Sequence, residues 1–252
     1  MANKQKAYAQ VIRYFREGIA NGTYSVGEKL PAEREIAETL GVSRNSVREA
    51  MRIMDMTGVI SSRQGSGNFI TCDFEKSMVE SLSMMFAMKQ IDYRQLIQLR
   101  RALESMAARL AVQNATDEEI GLIADCVGRL AVSTDTERNT EIDKLLHFTM
   151  AHASGNLLIE IILNALSTVI GTFMKDMHYE ILKEQERKDQ LNASHYQLKE
   201  GLRLRDAAMA EDALEQHFDL LDRIIDEGDS DAGNSMTNIN SSDWIESRTR
   251  RY

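Results

Sequence analysis

The stretch GEKLPAEREIAETLGVSRNSVREA, residues 27–50, holds two short helical patterns joined by Gly41-Val42-Ser43. Pro31 suits the first position of the earlier helix, where its missing N–H costs nothing. Glu33, Arg34, Ile36 and Ala37 carry that helix to Leu40. Ser43 suits the N-cap of the later one. Val47, Met51 and Met54 form its apolar stripe, and Arg44, Asn45, Ser46, Arg48 and Arg52 are its polar residues. Upstream, Tyr8, Val11, Ile12, Phe15 and Ile19 recur at helical spacing until Asn21-Gly22 stops them. Downstream, Gly58 ends the helix, and Val59–Ser62 and Asn68–Thr71 flank Arg63-Gln64-Gly65-Ser66-Gly67, which reads as a β-hairpin. Helix, helix, short turn, helix, hairpin is the order of a winged helix-turn-helix.

The chemistry of the third helix suits nucleic acid. Ser43, Arg44, Asn45, Ser46 and Arg48 place forked and small donors on its first turns, for guanine edges and phosphates. The positive end of the helix dipole points the same way. Gln64 and Gly65 at the wing tip suit an adjacent minor groove. Three arginines on one helix can be no more than a solvated face; the helix-turn-helix-wing order is what favours DNA.

Charge is unevenly spread along the 252 residues, whose net charge is −9. Residues 1–72 hold 10 lysines and arginines against 7 acids, and residues 73–252 hold 20 against 32. A mildly basic head and an acidic remainder imply two modules with different partners. The chain lacks an apolar run near the roughly 18 residues of a membrane span, and Met-Ala-Asn-Lys-Gln-Lys opens no signal sequence. A cytoplasmic protein with no membrane partner is expected. Cys72 and Cys126 have no metal-type spacing and read as free thiols.

Residues 27–37, 40–50, 58–60 and 64–70 together resemble the GntR family of bacterial regulators, with no gap across the head. The resemblance implies that Arg34, Arg44 and Arg48, with Gln64-Gly65 at the wing tip, meet operator DNA. Spacing alone says only that they can share a face.

From Phe74 to about Glu227 the chain reads as six or seven helices without a strand pattern, an all-α bundle large enough for its own core. Tyr93, Leu96, Leu99, Leu103, Met106 and Leu110 form one apolar stripe, and Thr116-Asp117-Glu118-Glu119 is a capping box. Further helices are expected over about 137–153, 156–185, 189–204 and 207–227. Boundaries of 1–72 for the head, 73–228 for the bundle and 229–252 for a polar, disordered tail follow.

Five histidines stand in the bundle: His147, His152, His178, His195 and His217. Asp143 and His147 are four apart, hence on one helix face. His195 and His217 each lie 11 residues from Asp206, at the expected helix break. At about 1.5 Å per residue both sit about 16 Å from that turn, at one height on antiparallel neighbours. An aspartate and three histidines converging in a bundle suit a divalent first-row metal, with zinc the default and nickel or manganese alternatives. Singly, each histidine is more simply a structural residue; the paired spacings favour the joint reading. His152 and His178 match no ligand position and read as structural or exposed.

Asp143–His147 followed by Ala153-Ser154-Gly155-Asn156, the His195–Asp206–His217 spacing, and Leu99-Arg100-Arg101-Ala102-Leu103-Glu104 resemble the FCD domain of the FadR subfamily of GntR regulators, over about 92–225. Leu146 departs from the aromatic that many members carry before the histidine. The resemblance implies a divalent metal on Asp143, His147, His195 and His217, and a small organic acid bound there with help from Arg100. Arg100 equally suits a salt bridge to Glu104. The expected protein is therefore a homodimeric regulator, a repressor, on a palindromic operator, its affinity set by a small carboxylate. A metal-dependent enzyme fused to a DNA-binding head, and a purely architectural DNA binder, remain as alternatives.

Overall fold

The structure, a computed structural model, describes residues 2–89 and 93–231. The expected disordered tail, 229–252, lies almost wholly outside the described residues. The chain divides into two compact units, after Glu80.

The first unit holds α1 (Ala2–Ala20), α2 (Glu33–Leu40), α3 (Arg44–Met56), β1 (Ile60–Arg63) and β2 (Gly67–Ile70), followed by the start of α4 (Phe74–Lys89). Val11 and Phe15 of α1, Ile36 of α2, Val47, Ala50, Met51 and Met54 of α3, and Ile60 and Ile70 of the hairpin share one core. Burying such side chains contributes about 1.5–3 kcal/mol each, and this core fixes the angle of α3. The strands pair antiparallel with Arg63 opposite Gly67. A third extended segment joins them: Leu30 N–H donates to the Asn68 carbonyl at 2.8 Å, and Ile70 N–H to that of Glu28 at 2.9 Å.

Pro31 does not open α2. Ala32 occupies the N-cap and Glu33 the first helical position. The Glu35 carboxylate reaches back to accept from the Ala32 N–H at 3.3 Å. Pro31 instead ends the extended segment that pairs with β2, a role compatible with its fixed φ.

The second unit holds the remainder of α4 and α5 (Tyr93–Asn114), α6 (Asp117–Val132), α7 (Thr136–Ala153), α8 (Leu157–Val169), α9 (Gly171–Lys183), α10 (Gln185–Leu204) and α11 (Ala207–Asp231). From α4 onward the described residues form eight helices, where six or seven were expected. The extra one arises at Ile170-Gly171, where α8 and α9 meet at a bend of 73°. Among the described residues no single helix is long and apolar enough to cross a membrane.

The apolar stripe expected on α5 is packed only in part: Leu96 is buried. Leu99 and Met106 are 45% and 46% exposed. The buried face runs through Leu96, Ile97, Arg100, Glu104, Ala107, Ala108, Ala111 and Val112. Small alanines let neighbouring helices approach closely, and two charged residues are carried into the interior.

Candidate metal centre and nucleic-acid interface

Asp143 and His147 come from α7, whose N-terminus is capped by the Asp135 carboxylate accepting from the Arg138 N–H at 2.9 Å. His195 and His217 come from α10 and α11, joined by a tight turn in which Arg205 takes a left-handed φ of 59°. The Arg205 guanidinium donates to the carbonyls of Val112 and Ala115 at 3.0 and 2.7 Å, tying the turn to the end of α5. Across this hairpin the rings of His195 and His217 stand 5.1 Å apart, and that of His147 lies 5.0 Å from His217 and 5.8 Å from His195. One nitrogen from each ring falls within 4.8 Å of the others. Asp143 Oδ1 lies 3.3 Å from His195 Nε2 and 3.7 Å from His147 Nε2. All four sequence-predicted residues are thus buried side by side.

Burial and charge act differently on each. Burial pushes the His195 imidazole down to about 4, and His217 well below the usual histidine range, where the neighbouring histidines push it further. Both are neutral at pH 7, the form that binds metal. Burial also lowers His147, but the carboxylates of Glu104 and Asp143 outweigh it and raise the group. Burial opposes ionisation of Asp143, yet His147, His178 and His195 hold it well below the ordinary carboxylate range.

Two functional neighbours escaped the sequence reading. Glu104 of α5 is fully buried, with Oε2 2.5 Å from His147 Nδ1 and Oε1 accepting from Arg100 Nε at 2.7 Å. Burial raises its carboxyl, but Arg100 and His147 bring it down to about 2. His178 of α9 is not exposed; it is buried with Nε2 3.5 Å from Asp143 Oδ2. His152 stays outside the cluster, 3.1 Å from Glu160. Arg100 forms the ion pair with Glu104, is 2% exposed, and reaches Met174 Sδ at 2.9 Å with Phe218 beneath its guanidinium.

The residues fit a metal ion. Asp143 Oδ1 and both ring nitrogens of His147, His195 and His217 are buried without a hydrogen-bond partner. His147 Nδ1 approaches Glu104 off the line of a hydrogen bond. Each unsatisfied buried group costs about 1–3 kcal/mol, so the cluster is unfavourable unless an ion or bound water satisfies it. A tetrahedral ion with bonds of about 2.1 Å separates its ligand atoms by about 3.4 Å. The Asp143 oxygen already stands at such distances from two nitrogens.

In the head, Ser43 caps α3, its Oγ accepting from the Ser46 N–H at 3.1 Å. Arg34, Ser43, Arg44, Asn45, Arg48, Gln64 and Gly65 are exposed. Ser46 is not: it is 3% exposed, and its hydroxyl lies 2.9 Å from that of Ser43. Its side chain belongs to the cap rather than to the open face. Arg48 also holds Glu33 at 3.3 Å, linking α3 to α2. Arg63 stacks over Phe69, stiffening the wing.

A three-helix head with a hairpin wing, followed by a helical bundle around a buried histidine cluster, defines a two-part transcription regulator. Residues 7–70 match the pattern described as bacterial regulatory proteins, gntR family, and residues 95–220 match the FCD domain. The chain belongs to the GntR family and carries an FCD domain. It is 27% identical over 210 residues to the HTH-type transcriptional regulator LutR of Bacillus subtilis (strain 168), covering 82% of this chain and 95% of that one. It is 28% identical over 218 residues to the Exu regulon transcriptional regulator of Escherichia coli (strain K12), covering 85% and 83%. A solved structure of Streptococcus agalactiae GntR superposes with a TM-score of 0.65 at 26% identity, covering 86% of this chain and 99% of that one. The family and these relatives are DNA-binding regulators, so the chain is a transcription regulator and not an enzyme.

Proposed function

We propose that this protein is a repressor of the FadR subfamily, whose head, 1–72, grips a palindromic operator and whose bundle, 73–228, senses a small organic acid through a divalent metal. The observation that carries the sensing half is the buried trio His147, His195 and His217, with nitrogens within 4.8 Å of one another, beside an Asp143 Oδ1 that like them lacks a hydrogen-bond partner. These residues would hold zinc, with nickel or manganese as alternatives of similar coordination. When bound, the ion supplies a Lewis-acid centre for a carboxylate oxygen. Arg100 would supply positive charge beside the centre, to which Glu104 links it, with Met174 and Phe218 against its guanidinium.

In the head, Arg44, Asn45 and Ser43 at the start of α3 would enter the major groove, Arg34 and Arg48 would flank it, and Gln64-Gly65 would reach the minor groove. Ser46 would support them as part of the cap. A homodimer would present two such helices to the two half-sites. Support for pairing comes from α5 and α8, which pack together and leave Leu99, Met106, Leu157 and Leu158 between 45% and 67% exposed.

The decisive experiment is fluorescence anisotropy on DNA from the protein's own promoter, titrated with small carboxylates with and without chelator. Specific binding that weakens with an acid only while metal is present is the expected result. Response to an acid in thoroughly chelated protein would overturn the metal-dependent sensor. Arg44→Ala/Arg48→Ala should lower operator affinity at least about tenfold, since each lost base or phosphate contact costs about 1–3 kcal/mol. Unchanged affinity would remove these residues from the interface.

A further inference from the structure

The three histidines of the cluster are not held alike. No ring nitrogen of the three makes an aligned hydrogen bond, and His195 has one carboxylate close by, Asp143 Oδ1 at 3.3 Å from Nε2. His147 stands between two carboxylates, with Nε2 3.7 Å from Asp143 Oδ1 and Nδ1 2.5 Å from Glu104 Oε2. Glu104 projects from α5, opposite the helix that carries His147; its Oε1 accepts from Arg100 Nε at 2.7 Å, while Oε2 has no aligned hydrogen-bond partner and stands against His147 Nδ1.

We propose that Glu104 is a positioning residue for the metal centre, fixing His147 through Nδ1 so that Nε2 is the nitrogen offered to the ion. The inference rests on the metal reading above. A neutral imidazole carries one proton, and the nitrogen that keeps it cannot ligate. A carboxylate at Nδ1 draws the proton there, leaves the Nε2 lone pair free, and makes that nitrogen a stronger donor. Arg100 holds the carboxylate in place from its other side, and Met174 Sδ, 2.9 Å from the Arg100 guanidinium, closes the far end. The chain Met174, Arg100, Glu104, His147 therefore joins α9 and α5 to the ligand on α7. An Arg–Glu pair one turn apart, with both side chains 2% exposed, is costly to bury; holding a ligand gives it a purpose beyond stability.

The test is a double-mutant cycle on full-length protein, read as zinc affinity by competition with a chelating dye. Glu104→Gln keeps the shape and removes the charge, and should weaken zinc about 10–100-fold. In a His147→Ala background the same change should cost clearly less, because the route through the imidazole is gone and only the through-space charge of Glu104 on the rest of the cluster remains. Equal losses in both backgrounds would overturn the proposal, pointing to direct ligation by Glu104 or a general packing effect. Wild-type affinity in Glu104→Gln would overturn it too. If Glu104→Gln fails to fold because Arg100 is left unpaired, Arg100→Met/Glu104→Gln removes both charges and carries the same two expectations. A wild-type protein that binds neither zinc, nickel nor manganese would sink the metal reading itself. Zinc bound by the wild type and unaffected by the variants would sink only the role of Glu104.

Discussion

At Gly58 a side chain has nowhere to go. Its φ is 75°, and an added Cβ would meet the Asp73 carbonyl oxygen at 1.8 Å. The residue sits where α3 has ended and the chain leaving the wing passes back over it. Left-handed backbone alone costs a non-glycine residue about 1–3 kcal/mol, and the clash adds to that. Gly58→Ala should therefore lower the urea midpoint of the head, followed by circular dichroism, without altering zinc affinity of the bundle. An unchanged midpoint would contradict the packing described here. Gly58 as a helix stop was legible in the sequence, and so was Ser43 as a cap, since both follow from local backbone chemistry. Ser46 was misjudged because a serine two residues past an arginine looks the same whether it faces DNA or its own cap. The Arg100–Glu104 salt bridge was legible as one reading of Arg100, but its burial against His147 was not, for a similar reason. A glutamate one turn after an arginine is usually a solvated pair, and only the fold reveals that this one points inward.

Helix faces show the same limit one scale up. The α10–α11 hairpin was readable because symmetric spacing about Asp206 constrains an antiparallel pair strongly. The buried face of α5 was legible only at Leu96, since hydrophobicity favours Leu99 and Met106 while the interior selects alanines and the Arg100–Glu104 pair. The break at Gly171 was also invisible: the apolar run of α8 leads into α9 without proline or a cluster of turn residues. The hairpin supports a sharper prediction at Gly201, where an added Cβ would lie 2.7 Å from Ala210 N and 3.0 Å from its Cα and Cβ. Helix propensity alone says Gly201→Ala should stabilise by about 1 kcal/mol. Close backbone contact says that it should destabilise by about 1–3 kcal/mol, as overpacked interiors do. The second effect should win, because backbone atoms of α11 cannot swing aside like the end of a side chain. His195 and His217 lie about two turns from this contact, so zinc affinity should fall along with the melting temperature. A Gly201→Ala protein that melts higher and binds zinc normally would show that the hairpin is looser than its geometry indicates.

Across the whole molecule, the uneven charge and the convergence of Asp143, His147, His195 and His217 in the bundle were legible, while how completely the cluster is buried was not. That burial sets how the bundle should respond to pH. In metal-free protein, His195 at about 4 and the still lower His217 remain neutral when folded, whereas the unfolded chain takes up protons as pH falls through about 6.5. Their stabilising contribution is full above that value and is lost as pH falls toward 4. His147 has the opposite sign: its raised value makes its contribution full at low pH and lost as pH rises through the folded value. Glu104, at about 2, adds a loss that begins only as pH drops below the ordinary glutamate range. Between pH 7 and 5, then, two histidines destabilise and one compensates. The chelated protein should unfold at a lower temperature at pH 5 than at pH 7, and the fall should steepen below about 4.5 as Glu104 joins in. Zinc reverses the balance at neutral pH, because an ion held by deprotonated ligands in the folded state alone stabilises by about 2.7 kcal/mol at 100 times its dissociation constant. The same protons that weaken the empty bundle compete with zinc for the ligands, so the zinc-dependent rise in melting temperature should shrink from pH 7 to pH 5. Scanning calorimetry at both pH values, with zinc and with chelator, checks this. A bundle that melts at the same temperature in all four conditions would mean that the three histidines are ordinary packing residues.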